Sequence, residues 1–174
     1  MIGILKKVQK YLDKWILRNL YYALVYPYFT YCNITWASNY KSNLDCLVKL
    51  QKRIVRIICF ENYLAHTEGL FKYVNIMKFE QINKYMTALF VYKALHNMYP
   101  KFISNLFLHN SYVHSYNTGQ KYNLHFSCFH SNVALFSIRI HGFKIWNDIP
   151  NIIRQLIPFH LFKKKLKIYC LDFV

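Results

Sequence analysis

Residues 42–58 read SNLDCLVKLQKRIVRII, and this stretch decides the fold class. Leu44, Leu47, Leu50, Ile54, Ile57 and Ile58 recur every three or four positions, which places them on one face of a helix. Lys49, Lys52, Arg53 and Arg56 fall off that face. Ser42, followed three positions later by Asp45, resembles a capping box with Asp in place of Glu, so the helix is expected to open at Ser42. The spacing predicts an amphipathic helix that docks its apolar stripe and leaves a row of cations outside.

The same period extends in both directions. Leu5, Val8 and Leu12, with Lys6, Lys7 and Lys10 between them, predict a helix over 4–12. Asp13 is placed to cap a second one through Trp15, Ile16, Leu20, Ala23 and Leu24, which carries Lys14 and Arg18 and which Pro27 should break or kink. A further helix is expected from Tyr31 to Trp36. Downstream, Thr67 is placed to cap a short turn through Phe71. Residues 79–98 predict a long helix with Ile82, Met86, Leu89, Phe90 and Leu95 inward, stopped by Pro100. A short helical piece is expected around Phe102 to Phe107.

Residues 109–123 are rich in Asn, Ser, Thr and Gly and read as a loop and a boundary. Beyond it, Leu124, Phe126 and Cys128 alternate with His125, Ser127 and Phe129. Phe136, Ile138 and Ile140 alternate with Ser137, Arg139 and His141. Two alternating runs predict a small β-hairpin. Gly142, Asn147 and Pro150 mark turns, and a basic helix is expected over 161–169. The fold class is therefore mainly α with a small α+β tail. The expected organisation is a basic helical region at 1–60, a helical extension at 61–108 and a tail at 109–174.

The 174 residues suffice for a real core, and 55% of them are hydrophobic, which excludes a disordered tail. The net charge of +16 comes from 23 Lys and Arg against 7 Asp and Glu. Such an excess suits an anionic partner, nucleic acid first and an anionic membrane surface second. AT-rich coding DNA inflates Lys, Asn, Ile, Tyr and Phe together, but it does not explain the shortage of acids. Five scattered cysteines and a start at Met1-Ile2-Gly3-Ile4-Leu5-Lys6 fit a reduced, intracellular protein rather than a secreted one. The uncharged stretch between Arg18 and Lys41 is interrupted by Pro27, Asn33, Thr35 and Asn39, so it reads as core rather than as a membrane span.

The acids are Asp13, Asp45, Glu61, Glu68, Glu80, Asp148 and Asp172. A polymerase or nuclease needs clustered carboxylates to hold its metal ions, and no two of these are adjacent or one residue apart. No catalytic residue is therefore expected. His66-Thr67-Glu68 matches half of a zinc-deaminase signature, but the Pro-Cys-x-x-Cys half is missing, and Thr67 reads as a helix cap instead. His125, Cys128 and His130, with His109 and His114 nearby, are zinc-binding types at irregular spacing without a Cys-x-x-Cys pair. Solvated or packed side chains are the better reading, and neither metal nor cofactor is expected. The positive evidence is three basic clusters on predicted helices: Lys6, Lys7, Lys10, Lys14 and Arg18; Lys49, Lys52, Arg53 and Arg56; and Lys163, Lys164, Lys165 and Lys167. Cations at helical spacing track a phosphate backbone without reading sequence.

Several strings resemble one family. Leu20-Tyr21-Tyr22-Ala23-Leu24-Val25-Tyr26-Pro27, followed by Tyr31-Cys32 and Trp36, resembles the stretch after the palm in reverse transcriptases of jockey-type non-LTR (LINE-like) retrotransposons. Leu50-Gln51-Lys52-Arg53 through Ile58 is similar to that family's L-Q-K-R-x-x-R-x-I segment, and His66-Thr67-Glu68 with Leu70-Phe71 to its H-T-x-x-L-F. His114 to Thr118, Ser137-Ile138-Arg139, Gly142, Trp146-Asn147-Asp148-Ile149-Pro150 and Phe162-Lys163-Lys164-Lys165-Leu166 follow in the family's order. Gly119 replaces an expected Arg, and Phe143 an expected Pro or Ala. The resemblance implies that residues 1 to about 60 form a thumb-like helical bundle that grips template and primer. It implies that the rest is the tail beyond the thumb, and that fingers and catalytic palm are missing. The implied partners are RNA or an RNA–DNA duplex and the absent fingers and palm, within a nuclear or cytoplasmic ribonucleoprotein. Other readings stay open: a degenerate reading frame without function, a protein-interaction module, or a membrane-surface module.

Overall fold

In a computed structural model, residues 2–113, 123–125 and 134–172 are described, and they are mainly helical. They divide into two compact units, residues 1–83 with 170–174 and residues 84–169, with the division inside one long helix.

The first unit opens with α1 (Ile2–Val8) and α2 (Lys14–Leu20). Asp13 stands at the N-cap of α2 with the extended backbone of a cap, but its side chain makes no capping bond. A wide turn over Tyr21–Val25 follows, in which the Tyr26 N–H donates to the carbonyl of Tyr21, five residues back. It leads into α3 (Tyr26–Thr30), with Pro27 in its first turn. Proline has no N–H for the carbonyl four residues earlier, so the chain widens here instead of stopping. After α4 (Asn33–Trp36), the decisive helix α5 spans Lys41–Cys59. It starts at Lys41 rather than Ser42, and the expected capping box is absent: Asn39 Oδ1 accepts from the Tyr40 N–H at 2.7 Å and from Asn43 Nδ2 at 3.1 Å.

The stripe of α5 docks in its second half, while Leu44 and Leu47 are only half-buried. Ile54, Val55, Ile57 and Ile58 are buried, whereas Leu50 is 38% exposed and Gln51 only 1%. Leu5, Leu17, Tyr21, Phe71, Ile76 and Ile82 complete this core. Phe79 lies against Phe29 and Trp36, with ring centroids at 5.8 and 5.7 Å. Helix α6 (Glu68–Val74) follows, then α7 (Phe79–Leu95), which continues into the second unit.

Three helices close in the same way. Phe60 after α5, Asn75 after α6 and Asn97 after α7 take left-handed backbone angles, φ 60, 53 and 54°. In each, the next N–H reaches back to the carbonyl at the head of the last turn: Glu61 to Arg56, Ile76 to Phe71 and Met98 to Lys93. This Schellman geometry satisfies otherwise orphaned carbonyls.

The second unit holds α8 (Lys101–Ser104), α9 (Asn110–Val113), α10 (Ile138–Asp148), α11 (Asn151–Arg154) and α12 (Phe159–Asp172), the last ending in the first unit. Tyr92 stacks on Phe162 with ring centroids 4.2 Å apart, and Val91, Ile140, Trp146 and Leu166 are buried with them. Among the described residues the expected β-hairpin is not found. Ile138 and Ile140 lie in α10, where Ile140, Ile145 and Trp146 are buried; an alternation over three apolar positions is too short to distinguish a strand from a helix. Gly142 is interior to this helix rather than a turn. Of the first expected strand, 124–129, residues 126–129 lie outside the described residues. The one extended pairing among those described is an isolated bridge between His109 and Leu124.

Candidate nucleic-acid interface

Helix α5 presents Lys49, Lys52 and Arg53 to solvent. Among the described residues, no carboxylate lies within ion-pair reach of any of the three. These cations, with Arg56, Cys46, Leu50 and Tyr63, line an open depression of about 300 Å³. Tyr63 arrives there because Phe60 turns the chain back on the helix. Arg56 then fixes the returning segment. Its Nε donates to the Ala65 carbonyl at 2.9 Å, and its guanidinium lies 5.8 Å from the centre of the Tyr63 ring. Tyr63 remains 70% exposed. Tyr63 is not among the site residues expected from sequence, and no local signal marks it, since its position depends on a turn built by a non-glycine residue.

The first basic cluster divides. Lys6, Lys7 and Lys10 are exposed on and just beyond α1. Lys14 lies 5.0 Å over the ring of Tyr73. Arg18 is half-buried, with Nη2 donating to the Asn75 carbonyl at 3.4 Å and its guanidinium 5.5 Å from the Tyr22 ring. Arg18 thus serves the packing of α2 more than a ligand. Lys163, Lys164, Lys165 and Lys167 are exposed on α12 in the second unit.

Among the described residues, no group of three His, Cys, Asp or Glu side chains is placed to hold a metal ion. His114, Cys128 and His130 lie outside those residues. Thr67 takes the N-cap position of α6 without a side-chain capping bond, and Glu68 pairs with Lys78 at 3.4 Å. No helix among the described residues is long and apolar enough to cross a membrane. Burial and the nearby cations Lys144 and Lys84 hold His141 below the ordinary histidine range, which keeps that imidazole neutral near pH 7. In comparisons with known proteins, no protein family, curated protein or solved structure matches the chain.

Proposed function

We propose that the chain is a non-catalytic, nucleic-acid-gripping piece of an RNA-directed DNA polymerase, binding RNA or an RNA–DNA duplex without reading its sequence. The observation that carries this reading is the outer face of α5, where Lys49, Lys52 and Arg53 have no carboxylate partner among the described residues and stand beside the exposed ring of Tyr63. Cations one turn apart neutralise successive phosphates, and an open aromatic ring beside them adds a sequence-tolerant stacking surface. Lys6, Lys7 and Lys10, and Lys163 to Lys165, add two further exposed cationic runs. With no carboxylate cluster among the described residues to hold two metal ions, the piece would not polymerise by itself. The fingers and palm of the parent enzyme would supply that site. Exposed Tyr11, Trp15, Tyr28 and Tyr31 are the residues of the first unit suited to meeting them.

The test is equilibrium binding of the full chain to RNA–DNA duplexes of unrelated sequence across a salt series. The expected result is similar affinity for every sequence and a steep loss between about 50 and 200 mM salt. Binding that ignores salt, or no binding at the lowest salt, overturns the proposal.

A further inference from the structure

The second unit contains a depression of about 200 Å³ that the nucleic-acid reading does not use. It is lined by His96 just past α7, His109, Trp146 of α10, and Asn151, Arg154 and Gln155 around α11. Arg154 organises it. Its Nη1 donates to Asn123 Oδ1 at 3.0 Å, and its Nη2 donates to Asn151 Oδ1. Both acceptors are neutral amides, so the guanidinium is aimed but not neutralised. Its Nε is shielded from solvent and has no hydrogen-bond partner among the described residues, none of which brings a carboxylate within ion-pair reach. Burial lowers the arginine's pKa accordingly.

The aim of Arg154 is itself built by the fold. Asn147 clasps the backbone of Leu124, accepting from its N–H at 3.1 Å. The bridge beside it ties Asn110 to Asn123 at 2.9 Å and His125 to Leu108 at 2.7 Å. Asn123 is thereby delivered to the guanidinium. A cation taken partly out of water without a counter-charge loses hydration that two neutral amide acceptors repay only in part. An oxyanion would restore it, through charge-assisted bonds to the donors left over.

We propose that this depression binds a small tetrahedral oxyanion of the phosphate class, held by Arg154 with His96, His109, Asn151 and Gln155 around it. Donors approaching from several sides suit a tetrahedral anion better than a planar carboxylate. The volume has room for a phosphate and a few waters, liquid water taking about 30 Å³ per molecule. Free inorganic phosphate and the terminal phosphomonoester of an oligonucleotide carry the same chemistry.

The experiment uses the full chain, an Arg154→Gln variant, and a control variant with Lys52→Gln and Arg53→Gln. Inorganic phosphate is titrated calorimetrically at fixed ionic strength, with chloride as the reference anion. In a second arm, 5′-phosphorylated and 5′-hydroxyl forms of one oligonucleotide compete. The expected result is saturable phosphate binding that Arg154→Gln weakens about tenfold or more and the α5 control leaves unchanged. A preference for the phosphorylated strand that Arg154→Gln abolishes assigns the terminal phosphate as the ligand. Equal binding of both strands with retained phosphate binding assigns the free ion. If Arg154→Gln does not fold by circular dichroism, Gln155→Glu, which sets a negative charge at the exposed rim, should weaken phosphate binding to a similar degree. No saturable binding in either arm, or binding that neither variant changes, overturns the proposal. Either result leaves the reading of α5 standing, because the control variant reports on that face separately.

Discussion

Gln51 donates from Nε2 to the Tyr21 hydroxyl at 3.0 Å, a bond between side chains thirty residues apart that pins α5 to the wide turn after α2. The same nitrogen donates to the Met77 carbonyl at 2.9 Å, so one amide ties three segments of the first unit together. Replacing Gln51 by Leu strands two buried acceptors at about 1–3 kcal/mol each, partly offset by the gain in apolar packing. The expected net loss in urea denaturation is about 2 kcal/mol. Tyr21→Phe removes one bond but leaves the amide its Met77 partner, and should cost about 1 kcal/mol. Equal stability of Gln51→Leu and the parent would show that the bond contributes nothing.

The same pair predicts an alkaline limit. Burial pushes the Tyr21 hydroxyl well above the ordinary tyrosine range, against which the Gln51 hydrogen bond is a smaller opposing effect. Below about pH 10, tyrosine is protonated in both folded and unfolded chains, and this contribution to stability is fully present. Above it, the unfolded chain releases a proton that the folded chain keeps, so stability falls as pH rises. Burial also raises Tyr26, Tyr92 and Tyr99, which add to the decline. Tyr21→Phe should therefore flatten the stability–pH curve above about pH 10 by up to about 1.4 kcal/mol per pH unit. An unchanged slope would count against the burial of this hydroxyl.

Leu50 and Ile58 both belong to the apolar period of α5, yet Leu50 is 38% exposed and Ile58 fully enclosed. Ile58→Ala should cost about 2–5 kcal/mol through lost burial and the cavity left behind. Leu50→Ala lies outside the core and should stay within about 0.5 kcal/mol of the parent. Thermal or urea unfolding of the two variants separates them, and a large loss at Leu50 would contradict its position.

These cases mark where the sequence was legible. The period of Ile54, Ile57 and Ile58 specified the helix and its inner face, because local spacing alone sets both. The burial of Gln51 was not legible, since its value depends on Tyr21 and Met77, which no local pattern links to it. Phe136, Ile138 and Ile140 alternate over too short a window to separate strand from helix, and the structure places Ile138 and Ile140 in α10. In the candidate interface, the cations of α5 were legible as an unburied stripe. Lys14 and Arg18 were not distinguishable from them, because Tyr73 and Asn75, which engage them, lie far along the chain. The division between Asn83 and Lys84 falls inside α7, where no loop composition announces it.

Gly142 of α10 sits close against Val91 and Phe107. A Cβ there would stand 3.0 Å from Val91 Cγ2 and 3.0 Å from a Phe107 ring carbon. Both neighbours are buried, so neither gives way readily. Alanine gains roughly 1 kcal/mol of helix propensity. Overpacking costs about 1–3 kcal/mol. The expected outcome of Gly142→Ala is a net loss of about 1 kcal/mol in urea denaturation. A stabilised variant would mean that the Phe107 ring moves aside freely.

Lys52, Arg53 and Arg56 look alike in sequence but should respond differently to mutation. Lys52, Arg53 and Lys49 are exposed, and no acid pairs with them among the described residues. Changing these three to Gln removes charge and keeps helix propensity, so the fold should survive. Affinity for any RNA–DNA duplex should fall, and the slope of log affinity against log salt should shrink by about 0.9 for each phosphate no longer neutralised. Arg56 instead anchors the returning segment through the Ala65 carbonyl and the Tyr63 ring. Arg56→Gln should lower the unfolding midpoint and make residues 61–65 more open to proteolysis, as well as weakening binding. Arg56→Lys keeps the charge but lacks the planar fork that bonds and stacks at once, so it should restore the salt slope without restoring protection. A triple Gln variant at Lys49, Lys52 and Arg53 that binds duplex as tightly as the parent, with the same salt slope, would reduce this face to a merely solvated one.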